Sequence, residues 1–207
     1  MLKSDGFDLW ADGYDRAVGL SDGESSYPFA GYREVLGEIY RILREMQAMR
    51  VLDVGCGTGV LGARLCAAGL DVTGLDFSGK MLEIARERMP EARLIRWDFA
   101  NGLPDEVKDG RMDAVVCTYA IHHLPDAEKE RLFHQMAACL RPGGRILIGD
   151  IAFETAQARA ACRQAAGDEW DDDELYMAMD EMRSRMIGTV FSYRQISVCA
   201  GLLEMIP

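Results

Sequence analysis

Between Val51 and Gly149, short apolar runs alternate with stretches of helical spacing, and most of the runs stop at an Asp or a Gly. The runs are Val51 to Val54, Asp71 to Leu75, Ala92 to Trp97, Met112 to Thr118 and Arg145 to Gly149. Such runs read as buried strands, and apolar residues three and four apart between them read as helices. Five strands separated in this way need crossover connections, which predicts a mainly parallel sheet with helices on both faces. Right-handed crossovers then nearly determine the topology, an α/β fold of the Rossmann-like, doubly wound kind.

The flanking regions extend this core into a single domain over 1–207. Residues 1–46 form an N-terminal arm, in which Phe7, Trp10 and Tyr14 make a small aromatic cluster and Phe29 to Met46 reads as a helix. Residues 50–150 are the strand–helix core. Residues 151–207 form a helical insertion and the C-terminal edge, with helices expected over Ala152 to Ala166, Leu175 to Met186 and Tyr193 to Ala200. A sixth strand is expected to start at Gly201. Only six residues follow it, so the C-terminal hairpin reads as incomplete, with an open edge that favours pairing to a second copy.

Composition narrows the class of function. The formal net charge is −11 and no Lys/Arg block occurs, which speaks against nucleic acid as a partner. No apolar run is long enough to cross a bilayer, and Met1 to Asp15 has no apolar core of a signal peptide. The six cysteines show no C-x-x-C spacing, which predicts neither zinc nor a disulfide framework and fits a cytoplasmic chain with reduced thiols.

In an open parallel sheet, ligands bind at the carboxyl ends of the strands. The first strand runs into Gly55-Cys56-Gly57-Thr58-Gly59, where glycines allow a sharp turn and close approach of a ligand. A dinucleotide fingerprint requires a small residue at the sixth position from the first glycine. Here that position is Val60, and no phosphate-binding lysine follows. Asp53 before the turn places a negative charge that repels pyrophosphate and attracts an ammonium or a sulfonium. Asp76, at the end of the second strand, can accept from the hydroxyls of an adenosine ribose. Asp98 can accept from an adenine amino group, and Phe77 and Met81 can sandwich the ring.

Together these residues resemble the class I S-adenosylmethionine-dependent methyltransferases. The resemblance is carried by Val51-Leu52-Asp53-Val54-Gly55-Cys56-Gly57-Thr58-Gly59, Gly74-Leu75-Asp76-Phe77-Ser78, Trp97-Asp98-Phe99-Ala100 and Leu140-Arg141-Pro142-Gly143-Gly144-Arg145. Trp10-Ala11-Asp12-Gly13-Tyr14-Asp15 and Thr118-Tyr119-Ala120-Ile121-His122-His123-Leu124 are similar to a bacterial small-molecule subgroup, the YrrT-like methyltransferases. The resemblance implies S-adenosylmethionine as cofactor, S-adenosylhomocysteine as product, a small-molecule acceptor, no metal, and a monomer or homodimer. It further implies a cofactor site of Tyr14, Asp53, Gly55, Cys56, Gly57, Gly59, Asp76, Phe77, Met81, Asp98, Phe99 and Thr118. His122, His123 and Tyr119 are candidates to accept the acceptor's proton, because they follow the fourth strand and imidazole titrates near neutrality. Two other readings stay open on residues alone: an NAD-type oxidoreductase, and a cofactor-binding protein of this fold without catalysis.

Overall fold

The computed structural model describes residues 27–207. Tyr14, with the rest of the aromatic arm before residue 27, lies outside the described residues.

One sheet dominates. Strands β1 (Arg50–Val54), β2 (Asp71–Asp76), β3 (Arg93–Arg96), β4 (Met112–Thr118) and β5 (Leu140–Phe153) pair in parallel, in the order β3-β2-β1-β4-β5. A two-residue strand β6 (Met177–Ala178) pairs with the far end of β5, and β7 (Phe191–Gln195) and β8 (Ala200–Met205) complete the sheet beyond β5. The order reverses between β1 and β4, and this switch point opens a crevice at the strands' carboxyl ends.

Alternation along the strands sorts their side chains into two cores. Val51, Ala114, Val116 and Leu147 share one core with α1 (Tyr32–Glu45) and α2 (Val60–Ala67). Leu52, Val54, Val115, Cys117, Ile146 and Ile148 share the other with α4 (Asp126–Cys139) and α6 (Met179–Arg185). Helix α3 (Gly79–Arg88) covers the β2–β3 side and is capped as its sequence predicts, the Ser78 hydroxyl accepting from the Met81 amide at 3.1 Å. Helix α5 (Ala156–Ala166) lies further out and buries none of its residues fully. Gly149 lets α1 settle directly on β5, since a Cβ there would stand 2.2 Å from Val35 Cγ1.

The chain end departs from the sequence reading. Tyr193 to Ala200 is not a helix: Phe191–Gln195 is β7, antiparallel to β8, with Tyr193 opposite Leu203 and Phe191 opposite Met205. The C-terminal hairpin is therefore complete, and the edge lies at β7. Cross-strand packing decides this. Tyr193 leans over Gly201, where any Cβ would fall 2.2 Å from its hydroxyl oxygen, and that hydroxyl donates to the Ala152 carbonyl at 2.7 Å. The expected helix from Leu175 is also shorter, because Met177 and Ala178 pair with Ala152 and Phe153 first. Strand β5 runs on to Phe153, past the stop expected at Gly149, because β8 supplies an antiparallel partner as far as Ile151.

Candidate active site

The glycine turn is built on β1 and pinned to β2. The Gly55 and Cys56 amides both donate to the Leu75 carbonyl, at 2.8 and 2.9 Å. The Gly57 amide donates to Asp76 Oδ2 at 2.8 Å, and the Ser78 amide to Asp76 Oδ1 at 2.9 Å. Gly57 has φ 53°, a left-handed conformation costly to other residues, and a Cβ on it would meet nothing within 4 Å. Gly55 is also left-handed, at φ 74°, and is needed for a second reason. Its Cβ would stand 2.6 Å from that of Ala120, so the turn and the segment after β4 touch.

Between them lies a cleft of about 620 Å³, counting space open to solvent. Of the residues singled out in the sequence, Gly55, Cys56, Gly57, Asp76, Phe77, Met81, Phe99 and Thr118 line it, joined by Tyr119 and His123. Tyr32, Thr58, Val60, Leu61 and Ala120 also line it. Tyr32 is carried there by α1, whose apolar spacing marks it only as a helix residue.

Other expected residues sit behind or beside the cleft. Gly59 faces α3, where its Cβ would meet Met89 and Ala85. Asp98 is exposed and caps a short turn, its Oδ1 accepting from the Ala100 amide at 2.9 Å. Asp53 is buried beneath the turn, and neither of its carboxylate oxygens has a hydrogen-bond partner among the described residues. Burial, reinforced by the Asp76 charge, raises its pKa to about 7. Such a carboxyl gains most from a positive charge brought nearby.

After β4 the chain turns abruptly. Tyr119 has φ 49°, rare for a bulky residue, and its amide donates to the Gly149 carbonyl at 2.8 Å. Its ring packs against Tyr32 and Phe29, with centroids 5.0 and 5.6 Å away. Strain of this kind persists where surrounding structure over-determines it, commonly at functional sites.

The histidine pair follows. His123 lines the cleft, whereas His122 lies one layer deeper, its Nδ1 at 2.5 Å from Oδ1 of the buried Asp150. Asp150 also accepts from the amides of Ile121, His122 and Ile151. Burial disfavours the His122 cation, but Asp150 and Glu174 outweigh it and the pKa is raised. Glu174 turns inward, its Oε2 at 2.7 Å from His123 Nδ1 and 3.8 Å from His122 Nε2. Burial acts to raise its pKa, but the hydrogen bond and charge of the histidines lower it. Behind this group the fully buried Lys129 ammonium is bonded to Asp126 and to the Leu175 carbonyl, anchoring the segment that carries Glu174. Asp150 could have been found in the sequence, because it directly follows the apolar run Arg145 to Gly149 as Asp76 follows Asp71 to Leu75. Nothing local marks Glu174.

Comparison with known proteins decides the family. A methyltransferase domain family matches residues 51–144. An uncharacterized methyltransferase of Oceanobacillus iheyensis is 37% identical over 153 residues, covering 74% of this chain and 68% of the relative. One from Bacillus licheniformis is 31% identical over 200 residues, covering 93% and 88%. This chain belongs to the class I methyltransferases. Solved structures agree on the fold. A DhpI complex with SAH aligns with TM-score 0.72 at 20% identity, covering 99% of this chain and 94% of the other. Magnesium protoporphyrin IX methyltransferase from Synechocystis PCC 6803, with bound SAH, aligns with TM-score 0.68 at 20% identity, covering 86% and 84%. No helix among the described residues of this methyltransferase is long and apolar enough to cross a membrane.

Proposed function

We propose that this methyltransferase uses S-adenosylmethionine to methylate a small-molecule acceptor. The observation that carries this reading is the Gly57–Asp76 hydrogen bond. It holds the turn open beside a strand-end carboxylate at the sheet's switch point. The residues fit the cofactor. Gly57 leaves room for a ligand, and Asp76, held at the cleft by the Gly57 and Ser78 amides, presents a carboxylate that can accept from ribose hydroxyls. Asp53 adds a buried carboxyl close behind, without a hydrogen-bond partner among the described residues, whose ionised form a cationic ligand would favour. When bound, the cofactor supplies an electrophilic methyl on a sulfonium.

The chain's own residues then have three tasks. Phe77 and Met81 line the cleft and present apolar surface to an adenine, whose amino group Asp98 would accept from. The strained turn at Tyr119, backed by Tyr32, forms a wall that excludes water and orients the acceptor behind the methyl. An oxygen or nitrogen acceptor must also lose a proton as its lone pair forms the new bond to carbon. His123, at the wall and held by Glu174, is placed to take it, with His122 behind and Tyr119 beside it. The acidic chain without a basic block supports a small molecule over a nucleic acid.

Calorimetry tests the reading. S-adenosylhomocysteine is expected to bind and NADH is not, and the reverse result refutes it. Incubating cell extract with methyl-labelled S-adenosylmethionine should then place label in the small-molecule fraction.

A further inference from the structure

We propose that His122 Nε2, His123 Nδ1 and Glu174 Oε2 form a binding site for a divalent first-row transition metal, zinc being the first candidate, at the acceptor end of the cleft. One donor atom from each of the three residues lies within 4.8 Å of the others. Two imidazoles and a carboxylate are a donor set for zinc or iron, and three protein ligands leave positions open for a substrate.

A hydrogen-bonded cluster accounts for only part of this geometry. His123 and Glu174 make such a bond at 2.7 Å. His122 Nε2 stands 3.8 Å from the same Glu174 oxygen, beyond hydrogen bonding. Two ligands sharing one zinc ion at its usual bond lengths lie roughly 3.3 to 4 Å apart, and the His123–Glu174 pair reaches that range by opening about 0.6 Å.

The second observation is the support behind His122. Its Nδ1 is committed to the buried Asp150 carboxylate, which is itself held by three backbone amides. Metal-bound histidines are oriented by such a carboxylate, which fixes the ring and leaves the other nitrogen for the ion. The group also carries two carboxylates, and the ammonium nearest to it, Lys129, is bonded to Asp126 and the Leu175 carbonyl rather than to Glu174.

The group reaches the cleft through His123, which lines it, while Glu174 lines a separate pocket with Trp170 and Leu175. An acceptor with an oxygen or sulfur donor could complete the coordination, and a coordinated group of that kind sheds its proton more readily. The ion would then take over the work assigned above to the His123 lone pair. This use of the site rests on the methyltransferase reading, whereas the site itself does not.

The experiment uses the full chain without a tag. Its only other histidine, His134, is exposed on α4, so competing imidazole sites are few. Titration with Co²⁺ is expected to give visible d–d bands that saturate at one ion per chain and are displaced by Zn²⁺. Glu174→Gln should weaken Co²⁺ binding at least tenfold while leaving S-adenosylhomocysteine binding and the melting temperature near wild type. His122→Gln is a second, independent variant with the same expected loss. Wild-type protein that binds S-adenosylhomocysteine but shows no saturable Co²⁺ or Zn²⁺ uptake overturns the proposal. So does uptake unchanged in both variants. Saturable uptake that Glu174→Gln weakens, in a chain that ignores S-adenosylhomocysteine, upholds the metal site and sinks the cofactor reading instead.

Discussion

The Gly57 amide and the Asp76 carboxylate meet at 2.8 Å, joining the turn after the first strand to the end of the second. One carboxylate oxygen holds the turn and the other holds the start of α3 through the Ser78 amide. Asp76→Ala removes both anchors. Loss of one hydrogen bond from a charged group costs about 1.5 to 3 kcal/mol. S-adenosylhomocysteine affinity is expected to fall at least tenfold by calorimetry, with a lower melting temperature. Asp76→Asn, which keeps one acceptor oxygen, should fall between the two.

Gly57→Ala separates fold from ligand at the same turn. Its Cβ would meet no protein atom within 4 Å, so the folding cost is the left-handed penalty alone, about 1 kcal/mol. The same methyl occupies space beside the cleft. Denaturant melts should move little, while S-adenosylhomocysteine binding weakens by at least tenfold.

Asp53 predicts a pH dependence of stability. Its folded pKa of about 7 lies above the unfolded value near 3.8. The folded state therefore binds the extra proton between those values, and the carboxyl costs stability progressively as pH rises through about 7. Asp53→Asn cannot ionise. It should be more stable than wild type by about 2 kcal/mol or more at pH 8.5, with the difference shrinking towards pH 4, as read from urea unfolding of the ligand-free protein. A constant difference across that range would rule out an ionising, uncompensated Asp53.

The Tyr193–Gly201 contact predicts coupling across the C-terminal hairpin. Gly201→Ala forces the ring away and should cost about 1 to 3 kcal/mol. With Tyr193→Ala already present, the same change should cost almost nothing extra, giving a measurable interaction energy in a double-mutant cycle. Tyr193→Phe alone loses the bond to the Ala152 carbonyl, about 1 kcal/mol.

Much of the cleft was legible before any coordinates. Asp53, Gly55, Gly57 and Asp76 are neighbours of strand ends, and an open parallel sheet brings strand ends together. The same logic located Thr118, Tyr119 and His123. It did not distinguish Asp76, which faces the cleft, from Asp53, which lies under the turn, because both sit near the carboxyl end of an apolar strand. Asp98 reads as an adenine contact in the sequence, and in the structure its Oδ1 accepts from the Ala100 amide, capping a short turn.

The sequence by itself determined the parallel core, its order of elements and the glycine turn, because periodicity and strand-end residues are local signals that topology rules then extend. Only the tertiary structure decided the C-terminal hairpin and the histidine cluster. Residues 193–200 have no strand signal of their own. They become a strand and turn because Tyr193 finds Gly201 and Ala152 across the sheet. Glu174 lies 51 positions from His123 and carries no motif. It reaches the site because Lys129, a buried residue of α4, fastens the adjacent carbonyl of Leu175, a contact between elements that no local pattern encodes.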